Sequence, residues 1–398
     1  MNSRIYLDNA ATTGTAPEVL KEMLPYFNES FGNPSSIYSF SRGNRTALER
    51  AREQVATAIN AEPAEICFTS GGTESDNWAL KGAAFATSGA KGHIITTMIE
   101  HHAILHTAEF LEDMGYAVTF LPVDEDGRVD LKDLESAFRE DTFLVSVMFA
   151  NNEIGTLQPI SEIGRLCRER KVLFHTDAVQ AVGHIPIDVK AMNIDMLSLS
   201  AHKFHGPKGV GALFMRRGVK IRNFIHGGGQ EKGRRAGTEN VPGIVGLGKA
   251  LELSLHGMER ESERQRVLRD RLIRGILEAI PHARLNGPGD GGRLPNNVNF
   301  SFIGVEGETL ILDLDEAGIS ASTGSACSSG SLDPSHVLLA IGLDHAHSHG
   351  SLRMTLGTCT TEDDIDYVLE TLPGIISRRR EMSPLWEEYE RPEKKVRI

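Results

Sequence analysis

A lysine at the end of a short apolar stretch is the first residue of the chain with evident chemical potential. Residues 196–200 (MLSLS) are typical of a buried strand, and Lys203 follows them just before a turn with the sequence GPKG at 206–209. Partial burial lowers the pKa of an amine and favours its neutral, nucleophilic form. Lys203 could therefore form a Schiff base with a carbonyl compound, although most lysines in such loops are ordinary surface residues.

Other polar side chains follow neighbouring predicted strands. Asp177 ends the stretch VLFHTD at 172–177, and Gln180 follows one turn later. Thr73 lies in the turn SGGTES at 70–75, between a predicted strand and a predicted helix. Such a turn presents backbone N–H groups and the positive end of a helix dipole to a phosphate. The turn does not match a Rossmann or Walker motif, so alone it is weak evidence.

Together these groups suit pyridoxal phosphate. That cofactor needs a lysine, a carboxylate for its pyridinium nitrogen, an anion cradle and a group over the face of its ring. Ser200 and His202 could hold the phosphate, and His101, at another strand end, could stack on the ring. Each residue also fits a plain structural role, such as a helix cap for Asp177. Their placement at successive strand ends favours a shared site.

The elements that position these residues alternate between strand and helix. Strands are predicted at 66–69, 93–97, 117–121, 143–149, 172–177 and 195–200, with helices at 103–114, 131–137 and 160–171 between them. Strands this apolar are typical of a mostly parallel α/β sheet with both faces buried, in which ligands lie beyond the carboxyl ends of the strands. A change in composition near residue 260 predicts a large domain at 14–260 and a smaller α+β domain formed by 1–13 and 261–398.

Composition limits the classes of partner. The 398 residues are 40% hydrophobic and 24% charged, as in soluble globular proteins, and the net charge of −12 disfavours nucleic acid or an anionic membrane as partner. Neither a membrane-spanning run nor a signal-peptide core is evident, so a cytoplasmic protein is expected. None of the four cysteines forms a CxxC pair, which agrees with that expectation.

Seven stretches resemble the cysteine desulfurases of the class-V aminotransferase family, and they run through nearly the whole chain. A further stretch, GGQEKGRRAGTEN at 228–240, favours the NifS type, which is associated with nitrogenase clusters and nitrogen fixation, over the housekeeping IscS type. The seven stretches are YLDNAATT (6–13), GNPSS (32–36), TSGGTESDN (69–77), NNEIG (151–155), SAHK (200–203), RAGTEN (235–240) and GSAC (324–327).

The resemblance implies a homodimeric, fold-type I enzyme, similar in fold to aspartate aminotransferase, with pyridoxal phosphate in the larger domain. Its expected reaction converts L-cysteine to L-alanine and leaves a persulfide on the protein. The implied ligands of the cofactor are Gly72, Thr73, Glu74, His101, Asn152, Asp177, Gln180, Ser200, His202, Lys203 and, from the other subunit, Thr238. The implied catalytic residues are Cys327, Lys203 and His101, and Asn152 and Arg353 are expected to hold the substrate carboxylate.

Cys327 also has a suitable local setting. It lies among small and polar residues (STGSACSSG, 322–330), which suits an exposed loop of the smaller domain better than a core. After Lys203 moves the Cα proton, the Cys327 thiolate would attack the substrate sulfur, assisted by a lowered pKa or by a base such as His101. The persulfide would then serve an iron–sulfur scaffold or another acceptor protein. No resident metal is expected, although Cys327 could be a transient iron–sulfur ligand.

Several features leave alternatives open. Selenocysteine lyases and other enzymes of the class-V aminotransferase type share the cofactor apparatus, and a protein acting mainly in sulfur delivery is a third alternative. Residues 344–349 (DHAHSH) are rich in histidine, and we favour a solvated loop over a metal site there. The arginines at 378–380 are interpreted as a solvated helix end, and the polar stretch 386–395 as a disordered tail that is either inert or a docking segment.

Overall fold

The computed structural model describes residues 4–87, 89, 91–289, 291–323 and 334–390. The strands are β1 (Ile5–Tyr6), β2 (Ile66–Thr69), β3 (His93–Thr97), β4 (Ala117–Leu121), β5 (Thr142–Ser146), β6 (Leu173–Asp177), β7 (Met196–Ser200), β8 (Gly211–Met215), β9 (Ala283–Leu285), β10 (Asn297–Phe302), β11 (Ile319–Ser320) and β12 (Ser351–Thr355). The helices are α1 (Pro17–Met23), α2 (Pro25–Asn28), α3 (Arg42–Ala58), α4 (Gly72–Ala86), α5 (His102–Asp113), α6 (Leu131–Ala137), α7 (Ile160–Arg170), α8 (Gln230–Gly233), α9 (Val241–Ala279), α10 (Gly307–Glu316), α11 (His336–Ala340), α12 (His345–His349), α13 (Glu362–Glu381) and α14 (Pro384–Glu390).

A seven-stranded sheet forms the centre of the larger part of the chain. Its spatial order is β2-β8-β7-β6-β5-β3-β4, and β8 alone runs antiparallel to its neighbours. Every residue of β2, β3, β7 and β8 is buried, because helices cover both faces. The predicted α/β class with a mostly parallel sheet is confirmed.

Two cores lie on the two faces of this sheet. One joins the sheet to α3, α7 and the beginning of α9 through residues such as Val55, Ile163 and Leu247. The other joins it to α4 and α5 through Trp78 and Leu111. Helices on opposite faces are what a series of parallel crossovers produces.

The remainder of the chain builds a separate core around the antiparallel sheet β12-β10-β9. The second half of α9, α10 and α13 pack against it, with Phe300, Leu314 and Ile376 in its interior. The first residues of the chain join it as well, because β1 pairs with β11 and Leu7 lies in the same core. Helix α9 continues without a break through residue 260, and the domain boundary predicted there stays a prediction.

The C-terminal region differs from the expectation of solvated, disordered chain. Arg380 is buried, donates to the carbonyls of Pro281 (2.7 Å) and Ile303 (3.1 Å), and lies 4.0 Å from the ring centroid of Trp386. The interpretation of residue 380 as solvated is therefore wrong. Residues 384–390 form α14, and Trp386 packs against both this guanidinium and the ring of His282. Residues 391–395 of the expected tail lie outside the described residues.

The histidine-rich stretch forms a short helix, α12, instead of the expected loop. Asp344 caps it by accepting from the N–H of His347 at 2.9 Å. Over the described ranges, no three His, Cys, Asp or Glu side chains converge as metal ligands. No helix in the same ranges combines the length and apolarity needed to cross a bilayer.

Candidate active site

The predicted site residues come together at the carboxyl edge of the large sheet. Strands β2, β7, β6, β5 and β3 each end there. Ser200 and Asp177 are the last residues of β7 and β6, and the segments that follow β2, β5 and β3 contain Gly72, Asn152 and His101. Residues 8–13 cross this edge on their way from the smaller core. The edge thus gathers residues that are far apart in the sequence.

Lys203 ends a 3₁₀ helix (Ala201–Lys203) that follows β7 directly. Its side chain is half-buried, and its Nζ donates to the carbonyl oxygens of Ala10 (2.6 Å) and Ala11 (2.8 Å). Its own carbonyl accepts from Nε2 of His184 at 3.0 Å. The amine is therefore held in a defined position by the N-terminal segment, in contrast to a freely solvated surface lysine.

Asp177 lies beside this lysine because β6 and β7 are parallel neighbours, with Asp177 opposite Ser198. Its carboxyl is buried and accepts from the N–H of Val179 at 2.9 Å. Burial raises the pKa of Asp177 to about 6, while the N–H of Val179 and the charge of Lys203 act in the opposite direction. Gln180 donates to the Ala10 carbonyl at 3.0 Å, so it meets Lys203 at one oxygen atom.

The turn between β2 and α4 has the shape of an anion cradle. Gly71 has φ +152°, and a Cβ at Gly72 would lie 2.7 Å from Cγ2 of Val179 and 3.8 Å from Cβ of Ser200. The turn also lies close to the start of β8, which requires a glycine at position 211, because a Cβ there would lie 2.7 Å from Cα of Gly71. The absence of side chains leaves the first N–H groups of α4 open to a phosphate.

Two residues of this turn differ in whether their side chains are available to contact a phosphate. Thr73 is exposed at the start of α4. Glu74 instead accepts from the N–H of Ser70 (2.9 Å) and from both ends of the Arg235 guanidinium (2.9 and 3.0 Å), and the pKa of Glu74 is lowered, since these hydrogen bonds outweigh the effect of burial. A carboxylate repels phosphate, so Glu74 is better suited to holding the turn in shape than to the expected direct contact.

Two histidines in the site are neutral near pH 7. Burial is the main cause that lowers the pKa of His101 and of His202 to about 4, with the charge of Lys203 next. Nδ1 of His202 is paired with the hydroxyl of Thr12 at 3.1 Å. Nδ1 of His101 accepts from the N–H of Ala103 at 3.1 Å, so the neutral ring carries its proton on Nε2. His101 can therefore donate a hydrogen bond through its Nε2–H group.

Arg353 and Asn152 meet at the opposite end of the site. The guanidinium is buried and donates to Oδ1 of Asp8 (3.0 Å) and to the carbonyl of Asn152 (3.2 Å). Its Nε has no hydrogen-bond partner among the described residues. A buried guanidinium with an unused N–H group is suited to a carboxylate ligand.

The segment with Cys327 lies outside the described residues, but both of its flanks are anchored at this end of the site. Ser322 exchanges backbone hydrogen bonds with Arg353 (2.6 and 3.1 Å). On the other side, Ser335 donates to the buried carboxyl of Glu153 at 2.5 Å. Residues 324–333 therefore begin and end beside the residues expected to bind the substrate carboxylate.

Thr238 is exposed, and its assignment to the site of a second subunit stays a prediction. Sequence reasoning assigned no role to Asp8 or to the carbonyls of Ala10 and Ala11, although they lie in the stretch YLDNAATT that carried part of the resemblance. It also did not predict that three acids around the site, Asp76, Glu100 and Glu153, are buried. Nothing in their local sequence distinguishes them from exposed acids at helix starts and loops.

The residues present fit pyridoxal phosphate. The glycine turn offers an anion cradle that a Cβ would obstruct, and Asp177 is a buried carboxylate suited to a ring cation. Lys203 lies at the same edge of the sheet, at the end of the 3₁₀ helix that follows β7. Lysine, carboxylate and anion cradle are the parts that this cofactor requires.

Comparison with known proteins agrees with this geometry. Residues 5–368 match the model of the aminotransferase class-V family. A protein of Clostridium botulinum named cysteine desulfurase IscS is 66% identical over 390 residues, which cover 98% of each chain.

Two solved structures are similar over most of the chain. A NifS-like protein has a TM-score of 0.89 and 42% identity, covering 94% of this chain and all of its own. A structure described as SspA in complex with cysteine has a TM-score of 0.78 and 40% identity, covering 88% of this chain and 98% of its own. This chain belongs to the cysteine desulfurases of the aminotransferase class-V family, a group that uses pyridoxal phosphate.

Proposed function

We propose that the protein converts L-cysteine to L-alanine and retains the sulfur as a persulfide on Cys327. Bound at Lys203, pyridoxal phosphate supplies an electron-withdrawing ring that stabilises negative charge at the substrate Cα. The observation that carries the proposal is the convergence of Lys203, Asp177 and the glycine turn beside Arg353 and the flanks of residues 324–333.

Lys203 is proposed to hold the cofactor and then to move the Cα proton of the substrate. When the substrate amine displaces it, its Nζ can return to the carbonyls of Ala10 and Ala11, which lie within 2.8 Å in the present structure. Asp177 would balance the ring cation, and Gln180 would turn its amide from Ala10 toward the ring oxygen. Ser200, His202, Thr73 and Gly72 would hold the phosphate.

The sulfur transfer proposed for Cys327 balances without an external oxidant. Its thiolate forms a bond to the substrate Sγ while the Cβ–Sγ bond breaks, and the electron pair of that bond passes to the carbon skeleton. Protonation of Cβ then completes alanine, and the ammonium formed when Lys203 takes the Cα proton can supply the proton. The Nε2–H of neutral His101 can donate a hydrogen bond in the site. The product persulfide keeps the sulfur at the oxidation level that an acceptor protein can take over by thiol exchange.

The test of the function is a product assay on the purified protein. L-cysteine with a reducing thiol should give alanine and sulfide in equal amounts, and the protein should have a visible absorbance band. Selenocysteine and a keto-acid acceptor, offered separately, distinguish a selenocysteine lyase and an aminotransferase. Transamination without sulfide release would contradict the proposal.

A change of Arg353 to lysine tests the carboxylate site. Lysine keeps the positive charge but loses the planar fork, so we expect KM for cysteine to rise by about 10- to 100-fold, as for the loss of one hydrogen bond to a charged group. The visible band should remain, because Lys203 and not Arg353 is proposed to hold the cofactor. Arg378→Lys on the exposed face of α13 is the matched control, and an unchanged KM in Arg353→Lys would contradict the assignment.

A homodimer is proposed on the basis of an exposed apolar surface near the N-terminus. Seven large hydrophobic side chains there are each exposed by 49% or more, and a group of exposed apolar side chains is typical of a surface that binds another protein. They are Leu20, Leu24, Phe27, Phe31, Ile37, Tyr38 and Phe40. A second copy would cover this surface and bring the exposed Thr238 toward a neighbouring site.

A charge in this surface should separate the subunits. We expect Ile37→Glu, at the most exposed of these positions (93%), to shift the protein from dimer to monomer in light scattering and to lower its content of cofactor. Leu312→Glu, at a residue of α10 that is 64% exposed, serves as the control and should stay dimeric. A dimer that survives Ile37→Glu would exclude this surface as the interface.

The cellular role is proposed as sulfur supply for iron–sulfur cluster assembly in the cytoplasm. The name IscS of the similar protein supports a housekeeping role more than one in nitrogen fixation, although the stretch 228–240 resembles the NifS type. A scaffold protein or another acceptor would approach residues 324–333. We also propose the division into domains 14–260 and 1–13 with 261–398, supported by the separate core around β10.

A further inference from the structure

A second carboxyl group lies beneath the site and has no part in the reaction described above. Asp76, on the first turns of α4, is 1% exposed. Its Oδ1 has no hydrogen-bond partner in the described part of the chain. A buried acid with an unpaired oxygen is costly unless it is neutral or has a function.

Asp76 faces a chain of polar groups that crosses three strands. The imidazole of His175 lies between the hydroxyls of Ser146 on β5 (2.9 Å from Nδ1) and Ser198 on β7 (3.0 Å from Nε2). Oδ1 of Asp76 is 3.8 Å from the same Nε2, and the nearby Ser198 hydroxyl acts to lower the pKa of the Asp76 carboxyl. His175 precedes Asp177 by two residues on β6, so both side chains project from one face.

The charges around Asp76 do not favour its ionisation. Asp177 and Glu100 are acids, and burial raises the pKa of Glu100 to about 8. Burial lowers the pKa of His175 to about 3, so the imidazole provides no positive charge. The charge of Lys203 acts on Asp177. Burial, and then the negative charge of Asp177, raise the pKa of Asp76.

We propose that Asp76 is a positioning residue, held as a neutral carboxylic acid, that supports Asp177 from below through Ser198 and His175. Of the three acids Asp76, Glu100 and Asp177, only Asp177 is then ionised near neutral pH. Its charge is available to the ring nitrogen of the cofactor without competition from a second carboxylate. The inference rests on the proposed function only in assigning Asp177 to that nitrogen.

Two substitutions of Asp76 test whether it acts as a neutral carboxylic acid or as a charged carboxylate. Asp76→Asn keeps the shape and the hydrogen-bonding capacity of a neutral acid, whereas Asp76→Ala removes the polar group beside His175 and Ser198 and leaves a cavity. We expect the Kd for pyridoxal phosphate near pH 7.5 to rise by about tenfold in Asp76→Ala, the loss of roughly one buried hydrogen bond, and by less than about threefold in Asp76→Asn. The Kd is measured by titrating cofactor-depleted full-length protein and following the visible band.

Infrared spectroscopy provides a reading that does not depend on the cofactor. The depleted wild-type protein should show the carbonyl stretch of buried protonated carboxylic acids, and Asp76→Asn should lose the part of that band due to Asp76 while the part due to Glu100 remains. Asp195→Asn is the matched control: Asp195 is also buried, but it lies at the opposite edge of the sheet and accepts from Arg216 and from the N–H of Phe174. It should lower the melting temperature while leaving the Kd and the infrared band unchanged.

Each outcome bears on the inference. A tenfold loss of affinity in well-folded Asp76→Asn would show that the ionised form is required, and wild-type affinity in Asp76→Ala would show that the residue supports nothing. An infrared band unchanged in Asp76→Asn would overturn the neutral assignment even if Asp76→Ala did not fold. A wild-type protein that binds no cofactor would instead contradict the proposed function.

Discussion

Replacing Lys203 by alanine is expected to abolish the visible absorbance band of the lysine-bound cofactor and to lower kcat by more than about 1,000-fold. The structure gives two reasons for so large an effect. Lys203 is proposed to hold the cofactor and to move the Cα proton, and no other lysine ends a strand at this edge among the residues described. The carbonyl oxygens of Ala10 and Ala11 would also lose the hydrogen bonds that they now accept from Nζ of Lys203.

The matched control is Lys208→Ala. Lys208 is exposed and lies five residues later, in the turn that follows the same 3₁₀ helix. It should keep both the band and the turnover, and absorbance with a product assay on the same samples measures both. Cofactor binding and alanine production at wild-type levels in Lys203→Ala would refute the assignment of the lysine.

The second large effect is expected from Cys327→Ser. A serine hydroxyl cannot form a bond to the substrate sulfur, so alanine production should fall by more than about 1,000-fold while the visible band is retained. Cysteine should still change the spectrum, because binding at Lys203 and Arg353 does not depend on the thiol. The combination of intact binding and lost turnover distinguishes a sulfur acceptor from a structural cysteine.

Cys359→Ser serves as the control for that variant. Cys359 is a free and exposed thiol, whereas Cys67 and Cys167 are buried and burial raises the pKa of both. After reaction with cysteine, mass spectrometry should find one additional sulfur atom on the peptide with Cys327 and none on the peptide with Cys359. A persulfide found on Cys359 alone would contradict the assignment of Cys327 as the nucleophile.

Much of the sheet and of its ligand edge could be predicted from the sequence. Residues 172–177 and 196–200 are apolar enough to identify buried strands, and consecutive parallel strands are commonly neighbours. Their adjacency placed Asp177 next to Lys203, and the structure has Asp177 opposite Ser198. The family resemblance identified Arg353 and Cys327 as candidates without showing how they reach the site.

The parts that escaped prediction depend on contacts between distant segments. The bond from Arg353 to Asp8 spans 345 residues, and that from Lys203 to Ala10 spans 193. Local periodicity contains no information on such pairs. The burial of Asp76 and the packing of Arg380 on Trp386 likewise depend on which elements cover them, and charge alone suggested a solvated position for Arg380.

The crossing of residues 8–13 over the sheet edge has a consequence for the order of events during synthesis. These residues leave the ribosome among the first, yet Leu7 and Asn9 bond to the backbone of Thr355, which is made near the end. Closing so long a loop is slow compared with forming the local crossovers of the large sheet. We therefore expect the nascent chain to be unable to retain the cofactor until β12 has been made. The yellow colour of the holoenzyme would then show that β12 has paired with the N-terminal segment.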